Sequence, residues 1–252
     1  MKEFLTPVND SILLRQSSQG LLFGTDAYLL AAYVRHKARG RAYDLGSGSG
    51  AVALLTARNR MFSTITALEL QADSYALLCH NVETNNMGQR IIPVLADVRT
   101  YTPSGEEKAA DWVFCNPPYF SANTGFARKS MQSEIARREI AGGIFDFCSC
   151  AARLLRYGGY FTVCFLPERI TDLLCAMREN GLEPKRMTLV YPTALHRPSL
   201  LLVEAKKGGA PGVFWTKPLV LSRSAGNNTL CHTPEYTYIY ENGAFDEQYE
   251  KP

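Results

Sequence analysis

Strand-like apolar runs alternate with helix-like runs along much of the chain, and this alternation restricts the possible folds more than any other feature. The helix-like runs begin with "TDAYLLAAYV", where Thr25 or Asp26 is the predicted N-cap, and continue over residues 51–60, 72–86 and 144–155. The strand-like runs are "RAYDL", "TITALEL", "IIPVLA", "DWVFC" and "GYFTVCFL". Strands joined through helices pair in parallel, so the pattern predicts an α/β fold with a doubly wound, Rossmann-like sheet.

Two later runs, "LEPKRMTLVYP" and "SLLLVEAKK", are separated by a short polar loop and predict an antiparallel hairpin at the end of the mostly parallel sheet. From residue 208 onward the chain is rich in glycine, proline and tyrosine and has weak periodicity. We therefore predict one domain over residues 1–207 and a C-terminal extension over residues 208–252.

Charge and cysteine content narrow the function classes. A net charge of +3, from 27 basic and 24 acidic residues, excludes a polycation, so any nucleic-acid contact must use a local patch. The seven cysteines form no CxxC pair, which favours buried reduced thiols over a metal site. The start, "MKEFLTPVND", has no secretory signal pattern, and no apolar run is long enough to cross a bilayer. We expect a cytoplasmic monomer that binds neither membrane nor metal.

The glycine-rich stretch "YDLGSGSGA" follows the first predicted parallel strand and opens a helix. Gly46, Gly48 and Gly50 in this position permit a tight turn and let a ligand approach the backbone closely. The string also fits the G-x-G-x-x-A pattern of dinucleotide-binding folds, so a nicotinamide cofactor stays open at this point.

Acidic residues mark three successive strand ends. Asp44 precedes the glycines, Glu69 ends the second strand, and Asp97 follows the third. A carboxylate in the place of Glu69 can accept both hydroxyl hydrogens of a ribose, and one in the place of Asp97 can accept an adenine amino hydrogen. Three acids at one edge of the sheet therefore favour a nucleoside-binding site over three unrelated helix caps.

The tetrapeptide after "DWVFC" is Asn116-Pro117-Pro118-Tyr119. Its two consecutive prolines predict a stiff corner, because each proline fixes its own φ. An amino group conjugated to a ring or carbonyl has a delocalised lone pair and is a poor nucleophile. The side-chain oxygen of Asn116 and the carbonyl of Pro117 can bind its hydrogens and aim its nitrogen, while Pro118 stiffens the corner and Tyr119 stacks on the planar target.

The order of these motifs resembles that of the S-adenosylmethionine-dependent amino methyltransferases, and within them the bacterial tRNA1(Val) adenine-N6-methyltransferase family. "GLLFGTDAYLLAAYV" and "EIARREIAGG" are similar to that family's pattern, although Arg138 stands where the family has histidine, and "PLVLSRSAGNNTLCHTPEYTYIY" is loosely similar. The resemblance spans residues 20–207 and implies a class I methyltransferase fold and methyl transfer from S-adenosylmethionine to an adenine beside the anticodon of a tRNA. The assigned cofactor contacts are Asp44, Gly46, Gly48, Gly50, Glu69, Asp97, Val98 and Asn116, and the assigned catalytic residues are Asn116, Pro117, Pro118 and Tyr119.

Basic residues follow the corner in "ARKSMQSEIARRE". Arg128, Lys129, Arg137 and Arg138 are candidate contacts for RNA phosphates, and a solvated helix face is the alternative interpretation of the same run.

Three other activities remain open from the sequence. A protein glutamine-N5 methyltransferase uses the same corner but normally has a separate N-terminal helical domain, for which the roughly 40 residues before the first strand are too few. An rRNA guanine-N2 methyltransferase would share the corner chemistry. A nicotinamide-dependent oxidoreductase would use the glycine loop but leaves the corner without a role.

Overall fold

The computed structural model describes residues 3–9, 11–18, 22–35, 37–103, 109–117, 142–224 and 229–250. The described strands are β1 Glu3–Asn9, β2 Ile12–Ser17, β3 Arg39–Leu45, β4 Met61–Glu69, β5 Ile91–Leu95, β6 Ala110–Cys115, β7 Leu155–Phe165, β8 Leu182–Thr193, β9 Leu200–Lys207, β10 Phe214–Trp215, β11 Leu219–Ser224 and β12 Leu230–His232. The described α-helices are α1 Thr25–Tyr33, α2 Ala51–Asn59, α3 Ala72–Thr84, α4 Ile144–Leu154, α5 Ile170–Glu179 and α6 Pro234–Asn242.

One large sheet has the strand order β12-β11-β8-β9-β7-β6-β3-β4-β5, with β10 paired to β8. Strands β7, β6, β3, β4 and β5 are parallel, and β9 runs antiparallel to both of its neighbours, β7 and β8. The predicted α/β class and the β8–β9 hairpin are confirmed. The hairpin does not end the sheet, however, because β11 pairs in parallel with β8 and β12 pairs with β11.

Alternating side chains in the parallel strands explain why helices cover both faces. In β6, Trp112 and Phe114 pack into the cluster that contains α1, α2 and α3, whereas Val113 and Cys115 pack into the cluster that contains α4 and α5. Successive side chains of a strand point to opposite faces, so a strand that is apolar at every position needs a partner layer on each side. None of the described helices is long and apolar enough to cross a membrane.

Residues beyond 207 pack against the core. Arg186 of β8 is 1% exposed and donates to the backbone oxygens of Tyr33 and Tyr249 at 2.5 and 3.1 Å, while its guanidinium pairs with Glu204 at 3.1 Å. Arg35 pairs with the same carboxylate at 2.6 Å. One buried carboxylate and two arginines therefore link α1, the β8–β9 hairpin and the C-terminal residues. The division of the chain at residue 207 stays a prediction.

Candidate active site

The glycine loop connects β3 to α2 and contains three residues with positive φ. Gly50, the N-cap of α2, has φ +89°, and a Cβ on it would lie 2.6 Å from Cδ1 of Leu78, so a side chain there would strain the backbone and displace Leu78. Gly48 has φ +56°, and a Cβ on it would meet no atom within 4 Å. The backbone at Gly48 therefore faces open space, as a backbone that receives a ligand must.

Glu69, at the end of β4, is 6% exposed and is hydrogen-bonded to the glycine loop. Its Oε2 accepts a hydrogen bond from the Gly48 N–H at 2.8 Å, and its Oε1 accepts from the Gln71 N–H at 2.7 Å. Burial raises the pKa of Glu69, and these two hydrogen bonds oppose the rise. A carboxylate has about four acceptor positions, so Glu69 keeps capacity for a ribose hydroxyl beside its contacts with the backbone of Gln71, Gly48 and Leu70.

Asp44, the residue before Leu45 at the end of β3, is 1% exposed. Desolvation raises the pKa of Asp44 to about 7, a hydrogen bond from Ser47 opposes this rise, and the negative charge of Glu69 adds to it. Within the described part of the chain, its Oδ2 is buried without a hydrogen-bond partner. A buried acceptor without a hydrogen-bond partner lowers the stability of the fold. A positively charged ligand beside Asp44 would offset this loss. Glu69 and Asp44 therefore fit a cofactor that carries ribose hydroxyls and a positive charge.

Asp97 follows β5 and is engaged by a neighbour. Arg99 donates to it from Nε at 2.9 Å and from Nη2 at 2.5 Å, and this pairing lowers the pKa of Asp97. Val98, between them, is buried against the α4 face of the sheet. An adenine amino group would have to share the carboxylate with Arg99, and the adenine-binding role of Asp97 and Val98 stays a prediction.

Asn116 directly follows β6, which lies between β7 and β3 in the sheet. Its Nδ2 donates to Oδ2 of Asp26 at 2.9 Å, and its Oδ1 accepts from the Cys164 thiol at 2.9 Å. The sequence interpretation assigned neither partner to the site. The predicted N-cap role of Thr25 or Asp26 is wrong, because α1 begins at Thr25 with Gly24 as its N-cap.

The remaining predicted site residues divide into two groups. Pro117 is described and buried beside Asn116. No group of three or more potential metal-binding side chains occurs in the ranges that the structure describes. Six predicted residues lie outside those ranges: Pro118, Tyr119, Arg128, Lys129, Arg137 and Arg138.

Asn81 of α3 is a site-supporting residue that the sequence analysis missed. Its side chain is fully buried, donates to the Ser49 oxygen at 2.8 Å and to the Arg15 oxygen at 2.9 Å, and accepts from the Arg15 N–H at 2.7 Å. One amide therefore joins the glycine loop to β2. A lone asparagine in a helix gives no sequence signal for such a role.

Replacing Asn81 with alanine should lower the free energy of unfolding by about 2–4 kcal/mol, because three backbone groups lose their partner. Cofactor affinity should fall as well, since Ser49 is no longer held. Denaturant unfolding and calorimetry measure the two effects. The control is Asn242→Ala, at an exposed residue whose side chain donates to the Tyr238 oxygen of α6, and equal stability of the two variants would contradict the linking role.

Comparison with known proteins gives matches over much of the chain. The family described as "Methyltransferase small domain" matches residues 17–141. A Bacteroides fragilis protein named tRNA1(Val) (adenine(37)-N6)-methyltransferase is 29% identical over 167 residues, which are 66% of this chain and 69% of the relative.

Two solved structures share the fold. A predicted O-methyltransferase from Agrobacterium tumefaciens superposes with a TM-score of 0.66 at 22% identity, covering 88% of this chain and 98% of that one. A Thermus thermophilus 16S rRNA N2 G1207 methyltransferase in complex with AdoMet and guanosine has a TM-score of 0.54 at 19% identity, covering 82% and 50%. At these identities the structures support the fold alone. The match over residues 17–141 makes the chain similar to methyltransferase small domains, and the methyltransferase class predicted from the order of its motifs is confirmed.

Proposed function

We propose that this protein transfers a methyl group from S-adenosylmethionine to N6 of an adenine in a tRNA loop, next to the anticodon of tRNA1(Val). The observation that carries the proposal is the oriented amide of Asn116, which stands directly after β6 at the same sheet edge as the glycine loop. The name of the Bacteroides fragilis relative supports the same substrate. Action on tRNA implies a cytoplasmic location.

The cofactor supplies, when bound, an electrophilic methyl group on a sulfonium sulfur. Glu69 holds the loop backbone at Gly48 and has acceptor capacity left for ribose hydroxyls, as described above. Asp44 contributes a buried carboxyl whose charged form a nearby cation favours. In this proposal Glu69 binds the ribose hydroxyls of the cofactor, and Asp44 lies near its positive charge.

On the substrate side, the chain orients an amine that is a weak nucleophile. Oδ1 of Asn116 accepts one amino hydrogen, and the carbonyl of Pro117 is the proposed acceptor for the other. Holding both hydrogens turns the nitrogen toward the methyl group, and orientation of this kind can supply up to about 7–11 kcal/mol in favourable cases. No described side chain has to remove a proton before the nitrogen attacks.

An adenine must leave its stack to reach such a corner, and loop adenines cost least to splay out. Tyr119 is the proposed stacking platform for the extruded base. The protein glutamine, guanine-N2 and nicotinamide alternatives have no described contact that favours them over adenine. Nucleoside mass spectrometry of tRNA from cells with and without the gene tests the proposal: loss of N6-methyladenosine next to the valine anticodon supports it, and unchanged tRNA contradicts it.

If Arg128, Lys129, Arg137 and Arg138 contact tRNA phosphates, neutralising two of them should flatten the slope of log affinity against log salt by roughly 1–2 units. Filter binding of a tRNA transcript at several salt concentrations measures the slope. The control variant neutralises Arg58 and Arg178, which lie at the C-terminal ends of α2 and α5. Equal slopes for wild type and the test variant would mean that the basic run is a solvated face.

A further inference from the structure

The side-chain amide of Asn116 is held from two sides by elements far away in sequence. Asp26 comes from the first turn of α1, 90 residues earlier, and Cys164 comes from β7, 48 residues later. The neighbouring pair Cys115 and Val163 are in register between β6 and β7, which places Asn116 beside Cys164. The sheet therefore sets the position of the amide, and α1 supplies its second contact.

These contacts determine which way the amide faces. The oxygen and nitrogen of an asparagine amide are similar in size, so a half-turn of the group exchanges acceptor and donor. An ionised carboxylate only accepts hydrogen bonds, so Asp26 pairs with the nitrogen and repels the oxygen. In the flipped state Oδ1 would face the Asp26 carboxylate, and the substrate amine would meet a donor. In the observed state Oδ1 lies beside Cys164 and is turned away from the Asp26 carboxylate.

Asp26 is itself placed by its surroundings. A Cβ on Gly24 would lie only 2.8 Å from Oδ1 of Asp26, so glycine leaves room for the carboxylate to lie over the turn. The preceding Phe23 N–H donates to the side chain of Gln16 at 2.5 Å, and Gln16 also donates to Thr6. Strands β1 and β2 pair antiparallel, and this hairpin thus anchors the segment that presents Asp26.

We infer that Asp26 is a positioning residue that fixes the orientation of the Asn116 amide, so that its oxygen and not its nitrogen is presented to the substrate amine. The inference rests on the proposed methyl transfer to an amine. Asp26 acts through Asn116 in this role and needs no contact with the substrate.

Replacing Asp26 with alanine should lower kcat about 10- to 100-fold, the range expected for losing a hydrogen bond to a charged group at the reacting centre. The Kd for S-adenosylmethionine and the KM for tRNA should change little. Asp26→Asn, which keeps an oxygen acceptor, should lose less than Asp26→Ala. The control is Asp172→Ala, which removes an exposed first-turn acid from α5 on the opposite face of the sheet and should leave kcat unchanged.

A double-mutant cycle separates positioning from a general structural effect. If Asp26 acts through Asn116, then Asp26→Ala should cause no further loss in single-turnover rate when Asn116 is already alanine. An additional loss of the same size in that background would overturn the inference. So would a fall in cofactor affinity or Tm that accounts for the whole effect.

A second measurement needs no substrate and so stands apart from failure of the proposed function. In a protein labelled with ¹⁵N-asparagine, the side-chain NH₂ signals of Asn116 are identified by their absence from Asn116→Ala. They should shift and exchange faster with solvent in Asp26→Ala, and not in Asp172→Ala. Unchanged signals in Asp26→Ala would overturn the inference, whatever the substrate proves to be.

Discussion

Replacing Asn116 with alanine should reduce methyl transfer roughly 100- to 1,000-fold, similar to the loss of one preorganised group in an oxyanion hole. The lost oxygen is the acceptor that orients the substrate amine, and alanine cannot replace it. S-adenosylmethionine affinity should fall much less than the rate, because the other assigned cofactor contacts, Glu69 and the glycine loop among them, remain intact. Initial rates with labelled S-adenosylmethionine and titration calorimetry measure the two quantities.

Asn180→Ala is the matched control for this variant. Asn180 is the C-cap of α5, and its side chain donates to the Ala176 oxygen of the same helix. Its loss should cost some stability and leave the rate of methyl transfer unchanged. An Asn116→Ala protein with nearly wild-type rates would remove Asn116 from the chemistry.

Replacing Glu69 with alanine should weaken S-adenosylmethionine binding at least about 100-fold, or roughly 2.7 kcal/mol. Two losses combine: the proposed acceptor for ribose hydroxyls disappears, and the N–H of Gly48 loses the partner that holds it at 2.8 Å. The glycine loop then has to be ordered by the ligand itself. Calorimetric titration with S-adenosylmethionine and its demethylated product gives the affinities.

Glu69→Gln separates the two contributions, because its one oxygen can accept from one backbone N–H, whereas its NH₂ group is a donor and cannot accept from the other. It should bind more tightly than Glu69→Ala and more weakly than wild type. Glu83→Ala, on the exposed face of α3, is the charge control. Wild-type affinity in Glu69→Ala would exclude Glu69 from the cofactor site, and binding of NAD alone by the wild type would contradict the methyltransferase activity.

Local patterns were sufficient to predict the part of the fold that carries the chemistry. The alternation of strand-like and helix-like runs predicted β3, β4, β5, β6 and β7. The glycines predicted the turn between β3 and α2, where Gly50 has φ +89°. Glu69 could be placed near the glycines because carboxyl ends of parallel strands meet at one edge. Periodicity and turn chemistry act over a few residues, and these features depend on little else.

Long-range contacts could not be predicted in this way. The Asp26–Asn116 hydrogen bond joins residues 90 apart, and no spacing rule connects a helix start to a corner after a distant strand. The same holds for Asn81, which joins α3 to β2, and for β11, which has weak alternation and pairs with β8. Tertiary packing determines these contacts, and a single sequence contains no local signal for them.

The measurement that tests the central claim most directly is transfer of labelled methyl from S-adenosylmethionine to unmodified transcripts of tRNA1(Val). The matched transcript has guanine in place of the adenine next to the anticodon, and release-factor protein is offered in parallel. We predict label on N6 of that adenine, none on the guanine transcript and none on protein glutamine, as read by nucleoside and peptide mass spectrometry. Label on protein glutamine, or on guanine N2 with none on adenine N6, would contradict the proposed function.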